Sequence, residues 1–438
     1  MLLHPRLRYA EVKGFFRQVW TLSLATRLEA EPRHKVQLRQ DRLLRSIVRY
    51  AYRNVPYYRK VFDSSGIRPG SIEGLSDLPR LPFLTKSQVL ENYPQAIVSR
   101  EHTPKSSFVS SSSGTTGIRA SFLTDWPTRH TNFALLYRAR SLFGYRPKHL
   151  ECRFSWRPDI KEKWFHRLGF MRLVRISHLS PAEEVLGQMV RIRPDVVYGY
   201  PSFLYTLAER CEKASLQGLK LLFILTSGEL LDDRMRSRIE DLFGTRVVDL
   251  YGSAEHNFIS SECPEEGTHH VNILNLAVEI VRDGEPVSPG EDGEVVITQL
   301  TNRAMPLIRY RTGDTGRIAE DGCPCGRTGT VLEVLHGRKD DFIANTRGEL
   351  FSPIIVRNAV TRQPIGSYKI VQNRRGRIEV EHIEPLDEKF RANVAETMRA
   401  VLADNDFEVY FKRVDRIEPD KSGKRRVVIS KVRAATRE

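Results

Sequence analysis

Residues 219–255 read LKLLFILTSGELLDDRMRSRIEDLFGTRVVDLYGSAE, and the order of textures in this stretch decides the fold. Leu219 to Thr226 is an apolar run that predicts a buried strand. A helix follows over about 232–242, and Val247 to Leu250 predicts the next strand. Strand, helix and strand in immediate succession describe a parallel sheet covered on both faces. The pattern extends toward the N-terminus. A helix over about 181–192 precedes a strand at Val196 to Tyr198, and Ser202 opens a helix through Lys213. Further back, Phe108 to Val109 leads into a Ser/Gly/Thr loop and then a helix near 126–142. Thr85, with Ser87 as a rival, caps a helix starting at Lys86. Leu78 to Leu84 predicts an extended, proline-punctuated stretch. A helix over 36–62 carries Leu43, Leu44, Ile47, Val48 and Ala51 at helical spacing, and Pro56 closes or kinks it.

Beyond Gly252 the texture changes. Strands at 277–282 and 293–300 flank the turn-rich Asp283 to Asp292, a hairpin-like and antiparallel pattern. A new unit is expected from Gly337. It has a Gly hairpin (Asn373 to Gly376), an alternating strand Arg377 to Ile383, a helix 387–403 and a strand 408–414. The expected fold is therefore α/β: a large N-terminal domain over 1–336, with parallel sheets and a small β-subdomain, and a smaller α+β domain over 337–438.

The 438 residues hold 69 Lys+Arg against 54 Asp+Glu, a formal charge of +15. Its placement matters more than its size. Residues 1–60 carry 14 basic and 4 acidic side chains, residues 336–438 carry 22 and 16, and residues 61–335 carry 33 and 34. The excess sits on a basic helical lead-in and on the C-terminal unit. A nucleic-acid binder would interleave such charges with aromatics, and Arg49, Tyr50, Arg53, Tyr57 and Tyr58 keep that class open as a rival. Leu2 to Leu28 reads as a surface helix packed on the body, with a membrane-surface helix as the alternative. No stretch approaches the roughly 18–20 apolar residues that span a bilayer. Five cysteines do not form a secreted disulfide framework, so a reducing cytoplasm is expected.

Several motifs carry chemistry. Ser110-Ser111-Ser112-Ser113-Gly114-Thr115-Thr116-Gly117 follows a strand. Its small hydroxyl residues and glycines would let N–H and O–H groups converge on a phosphate. The string lacks the Lys-Ser/Thr of a Walker loop, and taken alone it also reads as a flexible linker. Tyr251-Gly252-Ser253-Ala254-Glu255 comes straight off a strand. Its ring could stack on a purine, and its carboxylate could hold Mg²⁺. Tyr310-Arg311-Thr312-Gly313-Asp314 offers a carboxylate that could accept from both hydroxyls of a ribose. Gly337-Arg338-Lys339-Asp340-Asp341 stands at the expected domain junction, and Gly423-Lys424-Arg425-Arg426 supplies a glycine-hinged lysine.

In this order the motifs resemble the acyl-adenylate-forming (AMP-forming ligase) superfamily, and within it the phenylacetate–CoA ligase-like branch. The resemblance runs from about residue 36 to 430. It takes in Asn54-Val55-Pro56-Tyr57-Tyr58-Arg59, Leu81-Pro82-Phe83-Leu84-Thr85-Lys86 and Gly199-Tyr200-Pro201-Ser202. It implies that Ser112, Ser113, Gly114, Thr115, Thr116 and Gly117 wrap the β- and γ-phosphates of ATP. Gly228 and Glu229 would line the adenine, with Tyr251 stacked on it beside Gly252 and Ser253. Glu255 would coordinate Mg²⁺, and Asp314 and Arg338 would hold the ribose. Lys424 would bridge the substrate carboxylate and the α-phosphate, and the C-terminal domain would be a mobile lid turning about Asp340. Acyl-AMP and pyrophosphate form first, and the acyl group then passes to an acceptor.

Coenzyme A is the first expectation for that acceptor and an amine the second. Ile118-Arg119 stands where many relatives place Lys-Pro, and Phe342 to Ile355 lacks the terminal acidic residue of many CoA-forming members. Trp126, Phe133, Tyr137, Tyr198, Tyr200 and Phe203 lie near pocket-forming motifs and favour an aryl or arylacetic acid. A homodimer stays open. Cys263-Pro-Glu-Glu-Gly-Thr-His269-His270 and Cys323-Pro-Cys325-Gly supply three thiols and an imidazole, the donor set of a structural tetrahedral Zn²⁺. Branch members place such a histidine directly before an apolar strand, which favours His270. Cys152 and Cys211 read as core residues.

Overall fold

The computed structural model describes residues 5–111, 120–155, 164–167, 169–177, 180–228, 231, 233–336, 343–351, 353–362, 365, 368–415, 417 and 428–432. The chain divides into two compact units. The first comprises residues 1–112, 120–145 and 250–337, and the second comprises 113–119, 146–249 and 338–438.

In the first unit the helices Pro5–Glu29, Arg33–Asn54 and Pro56–Ser64 follow one another. The single helix expected over 36–62 is thus two. Val55 takes an extended conformation (φ −117°) and Pro56, which has no N–H to donate, starts the next helix at its first position. The periodic side chains Leu44, Ile47, Val48 and Ala51 are buried in the core together with Tyr58, Phe62 and Leu84. The stretch expected to be extended over Leu78–Leu84 is so only in its second half, because Leu75–Arg80 forms a 3₁₀ helix. Leu84 then bridges Tyr310, with Leu84 N–H donating to Arg309 O at 3.0 Å and Arg311 N–H to Leu84 O at 2.9 Å.

Arg309 explains why this segment is held so closely. It is 2% exposed and pairs with Glu279 at 3.0 Å. It also donates to Pro79 O (3.1 Å) and Leu81 O (2.7 Å) and lies 4.1 Å from the centre of the Phe83 ring. Such a pair adds little net stability, but removing one partner strands a buried charge at about 3–5 kcal/mol.

The strands of this unit run antiparallel in the order Glu285–Pro286, Leu276–Arg282, Gly293–Gln299, Tyr310–Ile318, Val331–His336, His269–Val271 and Ser260–Glu262. The expected hairpin around Asp283–Asp292 is present, with Leu276 opposite Gln299. Several strands were not expected from the sequence, Glu151–Ser155, Leu173–Ser177, Tyr310–Ile318 and Val331–His336 among them, and neither was the partner of Phe108–Ser111. Ser121–Thr124 pairs antiparallel with Phe108–Ser111 before the helix Trp126–Ser141 begins. The Ser/Gly/Thr string therefore lies between two strands of a hairpin rather than between a strand and a helix.

In the second unit, strands lie in the order Val247–Tyr251, Phe223–Ser227, Val196–Gly199, Glu151–Ser155 and Leu173–Ser177. Those from Phe223–Ser227 onward pair in parallel, as the alternating texture requires. The helices Ala182–Ile192, Pro201–Arg210 and Asp233–Phe243 pack on them through Val185, Leu204 and Ile239. The C-terminal part has its own sheet, ordered Glu408–Arg413, Arg377–His382, Tyr368–Arg374 and Val428–Ser430. Its core joins Ile370, Ile378, Val380, Val394 and Met398. Among the described residues no helix is long and apolar enough to cross a membrane.

Candidate active site and metal centre

Tyr251 is the last residue of its strand, and a turn over 254–256 follows. Its hydroxyl donates to Asp314 Oδ2 at 2.7 Å, which joins two motifs 63 residues apart. Burial, and then the Asp314 charge, push the Tyr251 phenol well above its ordinary range, so it stays protonated and remains a donor. Asp314 is placed in turn by Thr312, whose Oγ1 accepts from Asp314 N–H at 3.1 Å and donates to Val295 O at 2.8 Å. Gly313 takes φ +78°, a conformation open to glycine. A carboxylate fixed at one oxygen in this way is suited to bind a vicinal diol.

Ser253 closes the turn that carries Glu255. Its Oγ accepts from His256 N–H at 3.2 Å, and its carbonyl accepts from Asn257 N–H at 2.8 Å. His256, 2% exposed, lies tilted against Tyr310 with ring centres 5.5 Å apart, and among the described residues its Nε2 has no hydrogen-bond partner. Burial holds its pKa down to about 3, so the ring is neutral at physiological pH.

In the second unit, Gly228 follows the strand Phe223–Ser227 at φ +86°, and a Cβ there would lie 3.1 Å from the Tyr200 ring. Thr226 Oγ1 donates to Asp249 at 2.6 Å, which ties this strand end to the strand leading to Tyr251. Ser112, Ser113, Gly114, Thr115, Thr116, Gly117, Glu229, Arg338, Asp340 and Lys424 lie outside the described residues. The aromatics proposed for an acid pocket are distributed between the units. Trp126, Phe133 and Tyr137 belong to the first, whereas Tyr198, Tyr200 and Phe203 belong to the second. Phe203 packs on Phe154 at 4.8 Å and is a core residue, and Trp126 is 49% exposed.

Sequence reasoning missed the buried polar groups beneath the turn. Asp125 caps the helix Trp126–Ser141 by accepting from Thr128 N–H at 2.7 Å and also accepts from Arg303 N–H at 2.6 Å. The string Asp125-Trp126-Pro127, a capping residue followed by proline in the first turn, was the available signal.

The donor atoms of Cys263, His270, Cys323 and Cys325 all lie within 4.8 Å of one another. Cys263 and Cys323 sulfurs are 3.6 Å apart, and Cys325 Sγ is 3.4 Å from His270 Nε2. Ligands at about 2.3 Å from a tetrahedral centre stand roughly 3.7 Å from each other, so the donor set fits Zn²⁺ in kind and in size. Burial, with the Arg327 charge second, lowers His270 to about 4 and leaves it a neutral ligand. His269 turns elsewhere, its Nδ1 lying 3.2 Å from Ser260 Oγ. Just beyond the knuckle, Thr328 N–H donates to Glu29 O at 2.8 Å and Thr328 Oγ1 donates to Glu31 O at 2.6 Å. This loop is thereby tied to the turn between the first two helices.

Comparison with known proteins places this α/β architecture in the class of adenylate-forming enzymes. The family model described as AMP-binding enzyme matches residues 167–302. Phenylacetate-coenzyme A ligase of Thermus thermophilus is 32% identical over 369 residues, covering 80% of this chain and 81% of the relative. The Escherichia coli enzyme of the same name is 28% identical over 366 residues, covering 79% and 81%. A solved 2-hydroxyisobutyryl-CoA ligase shares the fold, with a TM-score of 0.63 at 21% identity over 93% of this chain and 92% of that one. The chain belongs to the AMP-forming ligase superfamily, in its phenylacetate–CoA ligase-like branch, and is an AMP-forming acid ligase.

Proposed function

We propose that the enzyme activates an aryl or arylacetic acid and transfers the acyl group to coenzyme A. In the first step a carboxylate oxygen attacks the α-phosphorus of ATP and the bond to pyrophosphate breaks, giving acyl-AMP. In the second the acceptor thiol attacks the acyl carbon, AMP leaves and the thiol proton is released. Two anions must meet in the first step, so charge neutralisation dominates the barrier. Mg²⁺, when bound, would supply part of that neutralisation, with Glu255 as its ligand. In this reading Lys424 neutralises the rest between the carboxylate and the α-phosphate. Ser112 to Gly117 hold the β- and γ-phosphates, Gly228, Glu229 and Tyr251 line the adenine, and Arg338 joins Asp314 on the ribose. The domain over 337–438 acts as a lid that turns about Asp340 between the steps.

The observation that carries this reading is the Tyr251–Asp314 hydrogen bond beside the turn bearing Glu255. An amine acceptor is the second reading, favoured by the missing terminal acidic residue in Phe342 to Ile355. The test is a screen of carboxylic acids for pyrophosphate release, repeated with CoA or amines while following thioester and amide. Absence of acid-dependent pyrophosphate release would overturn the reading, and amide without thioester would replace CoA with an amine. We further propose a structural Zn²⁺ held by Cys263, His270, Cys323 and Cys325. A location in the reducing cytoplasm is part of this reading, supported by five cysteines that form no disulfide.

A further inference from the structure

The turn bearing Glu255 is gripped through its backbone. Gln299, the last residue of the strand Gly293–Gln299, is 5% exposed, and its Nε2 donates to Glu255 O at 2.9 Å. The amide cannot flip without loss, because its Oε1 already accepts from Asn302 Nδ2 at 3.0 Å. Asn302 is 2% exposed and is itself locked. Its Nδ2 also donates to Leu123 O (2.8 Å) and Met305 O (3.0 Å), and its Oδ1 accepts from Asp125 N–H (3.1 Å) and Ala304 N–H (3.2 Å). One residue earlier, Ala254 O accepts at 2.6 Å from Oγ of Ser110, which lies in the strand Phe108–Ser111 at the start of the Ser/Gly/Thr string. Two successive carbonyls are thus held by two different elements, and Asn257, at φ +64°, closes the turn against Thr124 and Arg129.

We infer that Gln299 is a positioning residue that fixes the Glu255 backbone so that its carboxylate presents to the metal of the bound nucleotide, with Ser110 as a second support. This rests on the ligase reading, in which Glu255 takes Mg²⁺. Partners that orient a ligand from behind typically change metal affinity 10–100-fold when removed. Fixing the main chain from both carbonyls leaves the side chain itself able to coordinate.

The test uses the full chain and Mn²⁺ as the probe, with uptake in the presence of ATP read from loss of the free-ion electron paramagnetic resonance signal. Gln299→Leu is expected to weaken uptake about tenfold. Glu255→Ala should weaken it at least as much, and the double variant no further than Glu255→Ala alone, because both act through one carboxylate. Gln299→Glu keeps the size but sets an acceptor against Glu255 O, and it should weaken uptake comparably if Gln299→Leu fails to fold. Effects that multiply in the double variant would overturn the role of Gln299 and leave the ligase reading standing. Unchanged uptake in Gln299→Glu with a retained fold would do the same. Normal uptake by Glu255→Ala would overturn both the metal role of Glu255 and the positioning role of Gln299. Full Mn²⁺ affinity in the Gln299 variants, with affinity lost in Glu255→Ala and acyl-AMP still formed by the wild type, would separate the two conclusions, sinking only the positioning role.

Discussion

At the scale of single residues, the bond between Tyr251 and Asp314 makes a sharp demand. A hydrogen bond to a charged acceptor is worth about 1.5–3 kcal/mol, and 1.4 kcal/mol is a factor of ten. Tyr251→Phe should therefore raise the KM for ATP about tenfold while the KM for the acid stays nearly constant. A matched rise in both would show that the hydroxyl serves the whole site and not the nucleotide. Lys424→Ala is expected to abolish acid-dependent pyrophosphate exchange and leave ATP binding nearly intact, as equilibrium binding of labelled ATP would show. His256 adds a pH dependence. Its folded pKa of about 3 lies below the ordinary 6.5, so the unfolded chain binds the extra proton first. The stability this contributes is complete above pH 6.5 and is lost as pH falls toward 3. Between pH 6.5 and 5 the loss is about 2 kcal/mol. Denaturant unfolding of wild type and His256→Gln at both pH values should differ by about that amount, with the variant the flatter of the two.

At the scale of elements, Asp125 serves the helix Trp126–Ser141 and the Arg303 backbone at once. Asp125→Ala loses a helix cap worth about 1 kcal/mol and leaves the part-buried Arg303 N–H unmatched at about 1–3 kcal/mol more. A fall of roughly 2–4 kcal/mol in unfolding free energy is expected, and Asp125→Asn should recover about half of it. The parallel strands from Val196 to Tyr251 were legible because apolar runs and helical spacing are local properties. Thr85 was legible as a cap because Gln88 completes its capping box three residues on. Ser121–Thr124 was not, since a four-residue strand after a Ser/Gly/Thr string carries too little periodicity to register. The Arg309–Glu279 pair and the grip of Gln299 on Glu255 were hidden for another reason. Each joins residues 30 or more positions apart, and neither alters the pattern of its own strand. The motif strings were readable as chemistry, whereas the bond that makes Tyr251 and Asp314 one site was not.

At the scale of the whole molecule, the basic lead-in and the loop of the Cys/His cluster meet at the turn between the first two helices. The 14 basic side chains among residues 1–60 lie on helices whose inner faces bury Thr21, Ala25, Val36 and Leu44. At Gly14, a Cβ would come within 2.4 Å of His130, so the first helix rests directly on the helix Trp126–Ser141. Zinc analysis of the purified protein should return close to one ion per chain, and Cys325→Ser should lower that occupancy and the thermal midpoint together. The tie from Thr328 to Glu29 and Glu31 gives this site a reach beyond its own ligands. Arg27 and Arg33 flank that turn and are exposed, so they are natural points of tryptic cleavage. A strong chelator should make the Arg27–Arg33 segment the first to be cut, and re-addition of Zn²⁺ should protect it again. Thr328→Ala should leave the same bond sensitive with the metal in place. The knuckle then acts as a buckle for the chain's beginning, and a peptide map becomes a gauge of its metal content.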